Sequence, residues 1–243
     1  MKARVCVITA ARSDYGLLRW TMSSLKDDPA FDFKLIVTGS HLSPEYGFTY
    51  REIEKDGFKP DFKIEMLLSS DSSIGIAKSM GLCIIGMADA LDKISPNCIV
   101  VLGDRYELLS ICSTALVMKI PIVHISGGDV TTGAIDNEIR NAISQMADFH
   151  FPSTQASAKQ LIEMGIPENK IMVVGEPGLD NFNRLSLLNR EEVAKELDLD
   201  QHKKWILLTY HPETKINTAE NIHILKDLID VIIFETDAQI IAT

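Results

Sequence analysis

The sequence predicts an α/β fold with a parallel sheet that helices cover on both faces. Short apolar runs alternate with helical patterns of about a dozen residues, which is the order of strand and crossover helix in βαβ units. The runs are continuously apolar, as expected for strands that are buried on both faces. Polar and glycine-containing loops follow most of them. Because right-handed crossovers place the carboxyl ends of parallel strands at one edge, we expect these loops to meet there.

The first part of the chain contains four clearly predicted strands and one weakly predicted strand. Each clear strand is a run rich in Val, Ile and Leu, and the helices show apolar residues at helical spacing. The predicted strands are residues 5–9, 33–37, 98–102 and 120–125, with the weak one at 64–68, and the predicted helices are 17–25, 74–91 and 107–118. On the helix at 74–91, the expected core-facing residues are Ile74, Ala77, Met80, Cys83, Ile84 and Met87.

A glycine loop after the strand at 120–125 organises the chain. It contains Gly127 and Gly128, and the lack of a Cβ lets backbone approach a ligand closely. The next helix begins near Asp136, and Arg140 lies one turn later on the same polar side, which we interpret as free for chemistry. The simpler alternative is an N-cap with a solvated partner. The opposite, core-facing side carries Ile135, Ile139, Ala142, Ile143 and Met146.

The remaining segments predict the end of one domain and the start of another. Strands at 149–151 and 170–174, with a helix at 153–164, complete a first domain that spans residues 1–170. Helices at 179–188, 190–197 and 217–234, with strands at 205–210 and 239–242, begin a second domain, residues 171–243. Because a buried-type strand ends the sequence, we expect the chain to be part of a longer protein.

Polar and charged side chains follow almost every predicted strand of the first domain. Ligands of open α/β sheets bind at this edge, outside the carboxyl ends of the strands. A random scatter of charges would not concentrate at strand exits, so we interpret these residues as candidates for a site. They are Arg12, Asp14, His41, Asp104, Arg105, His124 and Asp129.

Composition excludes several classes of protein. A net charge of -10 argues against a nucleic-acid or anionic-membrane surface. The four cysteines lie in apolar runs without metal-ligand spacing, which predicts buried reduced thiols. We find no signal peptide and no apolar run of membrane-spanning length, so a cytoplasmic protein is expected. Neither a Walker loop nor the dinucleotide glycine fingerprint occurs, and we expect no metal and no cofactor.

Six motifs, taken in order, resemble the hydrolysing UDP-N-acetylglucosamine 2-epimerase family. They are residues 11–15, Gly39–Leu42, 46–47, 103–105, 127–140 and 210–212. The resemblance implies a glycosyltransferase-B-like architecture, in which two Rossmann-like halves hold a UDP-sugar in the cleft between them. It also implies a homo-oligomer without nucleic-acid or membrane partners. The implied reaction converts UDP-N-acetylglucosamine and water to N-acetylmannosamine and UDP, for sialic acid biosynthesis.

The chemistry of that reaction assigns roles to the candidate residues. The sugar C2 proton is barely acidic until the anomeric C–O bond begins to break, so departure of the diphosphate must be assisted. The resemblance implies elimination of UDP to a glycal, followed by addition of water, and places Asp104, Asp136 and His211 at catalytic positions. Guanidinium forks match phosphate oxygens. The substrate-binding candidates are Arg12, Asp14, His41, Tyr46, Arg105, Ser126 and Arg140.

One position departs from the family pattern, because Ser126 stands where related enzymes carry Glu. A serine cannot be the proton-transferring carboxylate. Either Asp129 takes that role, as a fourth catalytic candidate, or the protein acts on a 2,4-diacetamido sugar of the legionaminic-acid pathway. Two alternatives belong to other classes: a glycosyltransferase of the same architecture, which would need an acceptor groove, and a non-catalytic nucleotide-sugar binding protein.

Overall fold

The computed structural model describes residues 2–70, 72–213 and 217–243. The chain divides into two compact units. The first comprises Met1–Thr131 and Asp136–Asp180, and the second comprises Thr132–Ile135 and Asn181–Thr243. The end of the glycine loop therefore groups with the second unit, whereas the helix that follows it belongs to the first.

A parallel sheet forms the centre of the first unit. In the described part of the chain it has six strands, in the order β3-β2-β1-β4-β5-β6, which is a doubly wound order. The strands are β1 (Ala3–Thr9), β2 (Phe31–Thr38), β3 (Phe62–Ile64), β4 (Cys98–Leu102), β5 (Ile122–Ile125) and β6 (Phe149–Phe151). The helices are α1 (Arg12–Asp27), α2 (Tyr50–Lys55), α3 (Ser73–Ile94), α4 (Tyr106–Val117), α5 (Asp136–Met146) and α6 (Gln155–Glu163).

The strands bury side chains on both faces of this sheet, which confirms the predicted fold class. On β1, Cys6 and Ile8 belong to one apolar cluster, while Val5 and Val7 belong to a second cluster on the opposite face. The chain reverses its direction of winding at β1, which pairs with β2 on one side and β4 on the other. Ligand crevices of open α/β sheets lie at such a switch point, so the geometry directs attention to the loops after β1 and β4.

The second unit contains a pair of parallel strands and the helix that connects them. Trp205 pairs with Gln239, and the register continues to the pair of Leu208 and Ala242. The predicted strands and helices of this region occur in the predicted order, but the helix predicted at 179–188 ends at Arg184 and the strand predicted at 205–210 ends at Leu208. They are α7 (Asp180–Arg184), which begins at the boundary between the units, α8 (Arg190–Glu196), β7 (Trp205–Leu208), α9 (Thr218–Glu235) and β8 (Gln239–Ala242).

Two predicted strands need correction. Residues 170–174 form no regular strand: Ile171 makes a single bridge to His150, and Met172 and Val174 donate backbone hydrogen bonds to the edge of β6 and the residue after it. The side chains of Met172 and Val174 are largely exposed, so this apolar run is not buried as the predicted strand would be. The weak strand predicted at 64–68 lies earlier, at β3.

Helix α3 packs on the sheet with a different side from the predicted one. Cys83 and Met87 are fully buried as expected, but Ile74 is 67% exposed and Ile84 is exposed as well. Because α3 is apolar on nearly every side, its periodicity cannot select the face. In the described chain, only α3 has the length and hydropathy of a membrane span. One such helix is weak evidence for a membrane span, because a helix buried in a protein core passes the same test.

Candidate functional site

The loop after β1 is held by a buried polar network. The Asp14 carboxylate accepts hydrogen bonds from the backbone amides of Ala10 and Ala11, at 2.8 and 2.7 Å, and from Thr9 Oγ1 at 3.2 Å. Thr9 Oγ1 also lies 2.9 Å from His41 Nε2, and Thr49 Oγ1 lies 2.8 Å from His41 Nδ1. Both side chains predicted to bind substrate here, Asp14 and His41, are thus engaged in holding the β1 and β2 exits.

Burial sets the protonation of this network. Desolvation raises the pKa of Asp14, although the two amides oppose the shift. Desolvation also lowers the pKa of His41 to about 4, so its imidazole is neutral at physiological pH. A neutral histidine has one donor and one acceptor nitrogen, which suits the two hydroxyl groups that it contacts.

The loop after β4 contains an ion pair between Asp104 and Arg140. Arg140 Nη2 donates to the Asp104 carboxylate, while Arg140 Nη1 donates to Asp129 O at 2.8 Å and to Thr131 Oγ1 at 2.9 Å. Arg140 is therefore buried rather than on a free polar side, which corrects that interpretation. The helix α5 packs with the side that carries Arg140 toward the loop after β4, and residue spacing alone does not determine this packing.

The Asp104 carboxylate is largely buried and lies near one positive and one negative side chain. Desolvation raises its pKa, Arg140 lowers it, and the Asp136 carboxylate raises it again. The net direction is upward, so Asp104 holds a proton more readily than an ordinary aspartate. Asp104, predicted from one motif, thus lies within electrostatic reach of Asp136 and Arg140, which were predicted from another.

His124, on β5, holds the same loop through hydrogen bonds of its imidazole ring. Its Nε2 lies 2.8 Å from Gly103 O, the residue before Asp104, and its Nδ1 lies 3.2 Å from Ser144 Oγ. Burial lowers the pKa of His124 to about 4. The neutral ring is fully buried and fixes Gly103, which adopts a positive φ of 92°.

The glycine loop brings backbone close to α6. Gly128 has a φ of 84°, and a Cβ there would lie 2.2 Å from Ser157 O, so only glycine fits. The Asp129 carboxylate accepts a short hydrogen bond from Ser157 Oγ, which ties this catalytic candidate to the start of α6. Ser126 has a left-handed φ of 59°, and its buried Oγ has no hydrogen-bond partner among the described residues.

Arg105 is held by a glutamate that the sequence reasoning missed. Glu107 is fully buried, and its carboxylate accepts from Arg105 Nη2 at 2.8 Å and from Arg105 Nε at 3.2 Å. Burial alone would lower the pKa of Arg105, but the Glu107 carboxylate reverses the direction and raises it. The available signal was an acidic residue in the first turn of an otherwise apolar helix.

Arg105 also lines a cavity of about 540 Å³ beside the β2 and β3 exits. Tyr46, another predicted substrate-binding residue, lies on its wall and is 60% exposed. Hydroxyl groups and carboxylates share the wall with apolar side chains. Residues that contribute these polar groups are Ser40, Ser43, Glu45, Glu65, Ser69 and Ser70.

Two predicted residues lie outside these clusters. Arg12 is largely exposed, and its Nε is 3.6 Å from Glu52 Oε2. His211 belongs to the second unit, in the exposed segment after β7. In that unit, Gly133 has a left-handed φ of 81°, a conformation that favours glycine, and a Cβ there would meet the flexible side chain of Glu213. Among the described residues, no group of three or more metal-binding side chains occurs.

The fold defines a Rossmann-like α/β protein of glycosyltransferase-B-like fold. Residues 23–243 match the family model described as UDP-N-acetylglucosamine 2-epimerase. The chain therefore belongs to the UDP-N-acetylglucosamine 2-epimerase family.

Three similar proteins illustrate the relationship. The GDP/UDP-N,N'-diacetylbacillosamine 2-epimerase (hydrolyzing) of Campylobacter jejuni is 39% identical, over 95% of this chain and 60% of that protein. The UDP-N,N'-diacetylbacillosamine 2-epimerase (hydrolyzing) of Legionella pneumophila is 35% identical, over 87% of this chain and 56% of that protein. The crystal structure of UDP-GlcNAc 2-epimerase from Neisseria meningitidis bound to UDP-GlcNAc superposes with a TM-score of 0.81 at 19% identity, over 99% of this chain and 66% of that one. The chain thus spans about three fifths of the length of the relatives that it matches.

Proposed function

We propose that the protein is a hydrolysing 2-epimerase of a UDP-sugar that carries an acetamido group at C2. The observation that carries the proposal is the group of buried charges after β4. Asp104 has a raised pKa and a second carboxylate, Asp136, within electrostatic reach, and the buried Nε of its partner Arg140 has no hydrogen-bond partner in the described structure. A buried polar atom without a partner is costly unless a ligand or water satisfies it.

The reaction needs a group that removes a proton and a group that assists the departing diphosphate. In the first step one carboxylate takes the C2 proton while the C1–O bond breaks, its electrons leave with UDP, and a 2-acetamidoglucal remains. Water then adds its oxygen to C1 as a carboxylic acid gives a proton to C2 on the opposite face, and the second proton of the water passes to the carboxylate that this acid becomes. Asp104 and Asp136 are the proposed proton-transfer pair, since the raised pKa of Asp104 suits a group that donates a proton and Asp136 is a second carboxylate close enough to influence it.

The remaining predicted residues take supporting roles in this proposal. Arg105 and Arg12 are proposed to neutralise charge on the diphosphate, because guanidinium groups pair with phosphate oxygens. Tyr46 and Ser126 are proposed sugar contacts. Asp129 remains a candidate for proton transfer only if it leaves Ser157, and His211 is proposed to act from the second domain. Asp14 and His41 are proposed to act indirectly, by holding the loop that presents Arg12.

The identity of the sugar is the finer part of the proposal. We favour a 2,4-diacetamido sugar over N-acetylglucosamine, because relatives named for N,N'-diacetylbacillosamine are 39% and 35% identical to the chain. Ser126 supports this choice, since a small residue replaces the expected glutamate. The product would be the 2-epimer of the free sugar, a precursor for nonulosonic acids of the sialic and legionaminic type.

The proposed compartment is the cytoplasm, and its support comes from the cysteines. All four are free, and three of them are buried, as in proteins of reducing compartments. Burial raises the pKa of Cys83 and of Cys112 to about 12, so these thiols stay protonated and unreactive.

The test is incubation of the intact protein in D₂O with UDP-N,N'-diacetylbacillosamine and, separately, with UDP-N-acetylglucosamine. The proposal predicts release of UDP and of a free 2-epimerised sugar with deuterium at C2, at a higher kcat/KM for the diacetamido substrate. A glycosyltransferase would release UDP only when an acceptor is supplied. A binding protein would retain the substrate unchanged, and either result would refute the proposal.

A further inference from the structure

The cavity beside the β2 and β3 exits adjoins the proposed proton-transfer site. Residues 39–48 after β2, residues 65–70 after β3 and the start of α4 form most of its wall. Its volume of about 540 Å³ lies within the range of about 300–1,000 Å³ that is usual for small-molecule sites. Arg105 lines the cavity and directly follows Asp104 in the chain. A chemical group that enters the cavity can therefore belong to the same substrate that reacts at Asp104.

The charges of the cavity wall disfavour a phosphate group. Among the described residues that line the cavity, Arg105 is the only Lys or Arg, and its Nη2 is already paired with the Glu107 carboxylate at 2.8 Å. Glu45 and Glu65 add two further carboxylates to the wall. Like charges repel, so this excess of carboxylates disfavours a diphosphate inside the cavity. The part of a nucleotide sugar that suits the cavity is therefore the sugar.

Apolar side chains form much of the remaining wall. Leu42 and Ile76 are half-buried there, and Leu68 is 40% exposed. Phe48 also lines the cavity, and its left-handed φ of 51° is a strained conformation for a bulky residue. Strained residues cluster at sites that hold ligands. A hydroxyl group has no apolar atoms to place against such a wall, whereas an acyl group has a methyl group.

We propose that this cavity binds an acetamido group at C4 of the substrate, and that it thereby selects a 2,4-diacetamido sugar over a sugar with a hydroxyl or an amine at C4. The inference rests on the proposed function and names a specificity site for it. One ring carbon separates C4 from C2, so a sugar whose C2 lies at Asp104 carries its C4 substituent close by. The diphosphate, on C1, stays outside the cavity.

Each part of an acetamido group has a counterpart on the cavity wall. Leu68 and Ile76 offer apolar surface to its methyl group, and the Glu65 carboxylate, directly after β3, can accept its N–H. The Tyr106 hydroxyl can donate to its carbonyl oxygen. Burial raises the pKa of Tyr106 to about 12, so this hydroxyl keeps its proton at physiological pH. An ammonium group at C4 would instead lose hydration beside the apolar part of the wall, which is costly.

The test compares UDP-N,N'-diacetylbacillosamine with the otherwise identical UDP-sugar that carries a free amine at C4. This pair is decisive because the wall carboxylates would attract the ammonium group, whereas its apolar side chains favour the acetyl group. Kd is measured by isothermal titration calorimetry and kcat/KM by UDP release, on the intact protein. Wild type is expected to bind the diacetamido substrate about tenfold or more tightly than the amine, as for one or two carbons that fill an apolar pocket.

The variant Leu68→Asp replaces part of the apolar wall with a charge. It should reduce the ratio of the two Kd values to roughly threefold or less, chiefly by weakening the diacetamido substrate. A matched control is Ile162→Asp, which places the same charge on α6 at a residue that is 44% exposed and should leave the ratio unchanged. Thermal unfolding verifies that both variants are folded. A general disturbance of the structure would weaken both substrates alike and leave the ratio as in wild type.

The Kd ratio separates failure of this inference from failure of the proposed reaction. Equal binding of the two substrates by wild type, tighter binding of the amine, or a ratio that survives Leu68→Asp would overturn the C4 site even if UDP is released. Selective binding that Leu68→Asp abolishes, without release of UDP, would refute the reaction and support the site. Binding of neither substrate would overturn both.

Discussion

The two sides of the sheet edge use buried polar groups differently. On the side of β1 and β2, Asp14 and His41 find protein partners for their polar atoms within the chain. On the side of β4 and β5, Asp104 and Arg140 pair with each other, yet Arg140 Nε and Ser126 Oγ remain without partners in the described structure. We call a buried network saturated when its polar atoms all have hydrogen-bond partners, and unsaturated when some of them have none. A saturated network makes the structure rigid, whereas an unsaturated one leaves polar atoms available to a ligand. The difference separates residues that build the edge from residues that are proposed to act on substrate.

The largest expected effect tests the unsaturated side. Asp104→Asn should lower kcat about 10²- to 10⁴-fold, because the amide cannot transfer a proton. The circular dichroism spectrum should remain that of a folded protein. UDP release and thermal unfolding, measured on the same preparation, separate the two properties. Near-normal turnover would show that Asp104 is not one of the two proton-transfer groups. It would also contradict the proposed difference between the two sides.

The stability of the fold is expected to depend on pH, because one buried histidine lies on each of the two sides of the sheet edge. His41 and His124 have pKa values lowered by burial to about 4, below the unfolded value near 6.5. The unfolded chain therefore binds more protons between these values, and stability falls as pH drops from about 6.5 toward 4, by up to about 3 kcal/mol for each histidine. Urea unfolding at a series of pH values measures the slope.

A control is needed because Asp14 and Asp104, whose pKa values are raised, oppose that trend. His124→Gln keeps both carboxyl groups and removes one titrating imidazole, so its stability should depend less steeply on pH than that of wild type. An unchanged slope would show that His124 does not titrate on unfolding as described.

The saturated side should respond in stability rather than in chemistry. In Asp14→Asn an NH2 group replaces one of the two carboxylate oxygens, so one of the backbone amides of Ala10 and Ala11 loses its acceptor. The free energy of unfolding should fall by about 1–3 kcal/mol. Activity for each folded molecule should fall far less than in Asp104→Asn. Urea unfolding and active-site-normalised kcat provide the comparison. A loss of kcat as large as that of Asp104→Asn, in a stably folded variant, would place Asp14 in contact with the reaction.

A smaller effect should follow from loosening Arg105. Glu107→Gln retains the volume of the side chain but weakens its charged hydrogen bonds to Arg105, so the guanidinium is held less firmly at the cavity. We expect KM to rise several-fold, as for loss of about 1 kcal/mol, with little change in kcat. Initial rates over a range of substrate concentrations measure both constants. An equal fall of kcat with unchanged KM would contradict a positioning role.

The smallest effect concerns the backbone at Ser126. Its left-handed φ of 59° strains residues other than glycine by about 1–2 kcal/mol, and the greater freedom of glycine in the unfolded chain costs about 0.5–1 kcal/mol. Ser126→Gly should therefore raise the free energy of unfolding by about 0.5–1 kcal/mol. If Ser126 contacts the sugar, the same change should raise KM. Ser126→Ala, which keeps the strain and removes the hydroxyl, is the matched control. A destabilised glycine variant would show that the Ser126 side chain contributes packing that the strain argument omits.

Much of the fold was predictable because strands of a parallel sheet are continuously apolar. Asp104 and Asp136 were brought together by the rule that carboxyl ends share an edge. The sequence could not predict that Arg140 would be buried, since its helical position faces solvent or protein according to where the helix packs. Glu107 was missed because a single acidic residue in a helix is ordinarily a solvated one. The face of α3 was mispredicted because an evenly apolar helix has no clear polar side.

The most direct test of the proposed proton-transfer site is deuterium exchange at C2 of the sugar. Wild type and Asp104→Asn are compared in D₂O with UDP-N,N'-diacetylbacillosamine, and the label is read by NMR in both the released sugar and the recovered substrate. The account predicts fully labelled product from wild type and neither product nor labelled substrate from the variant. Product without deuterium at C2, or equal labelling by the two proteins, would contradict it.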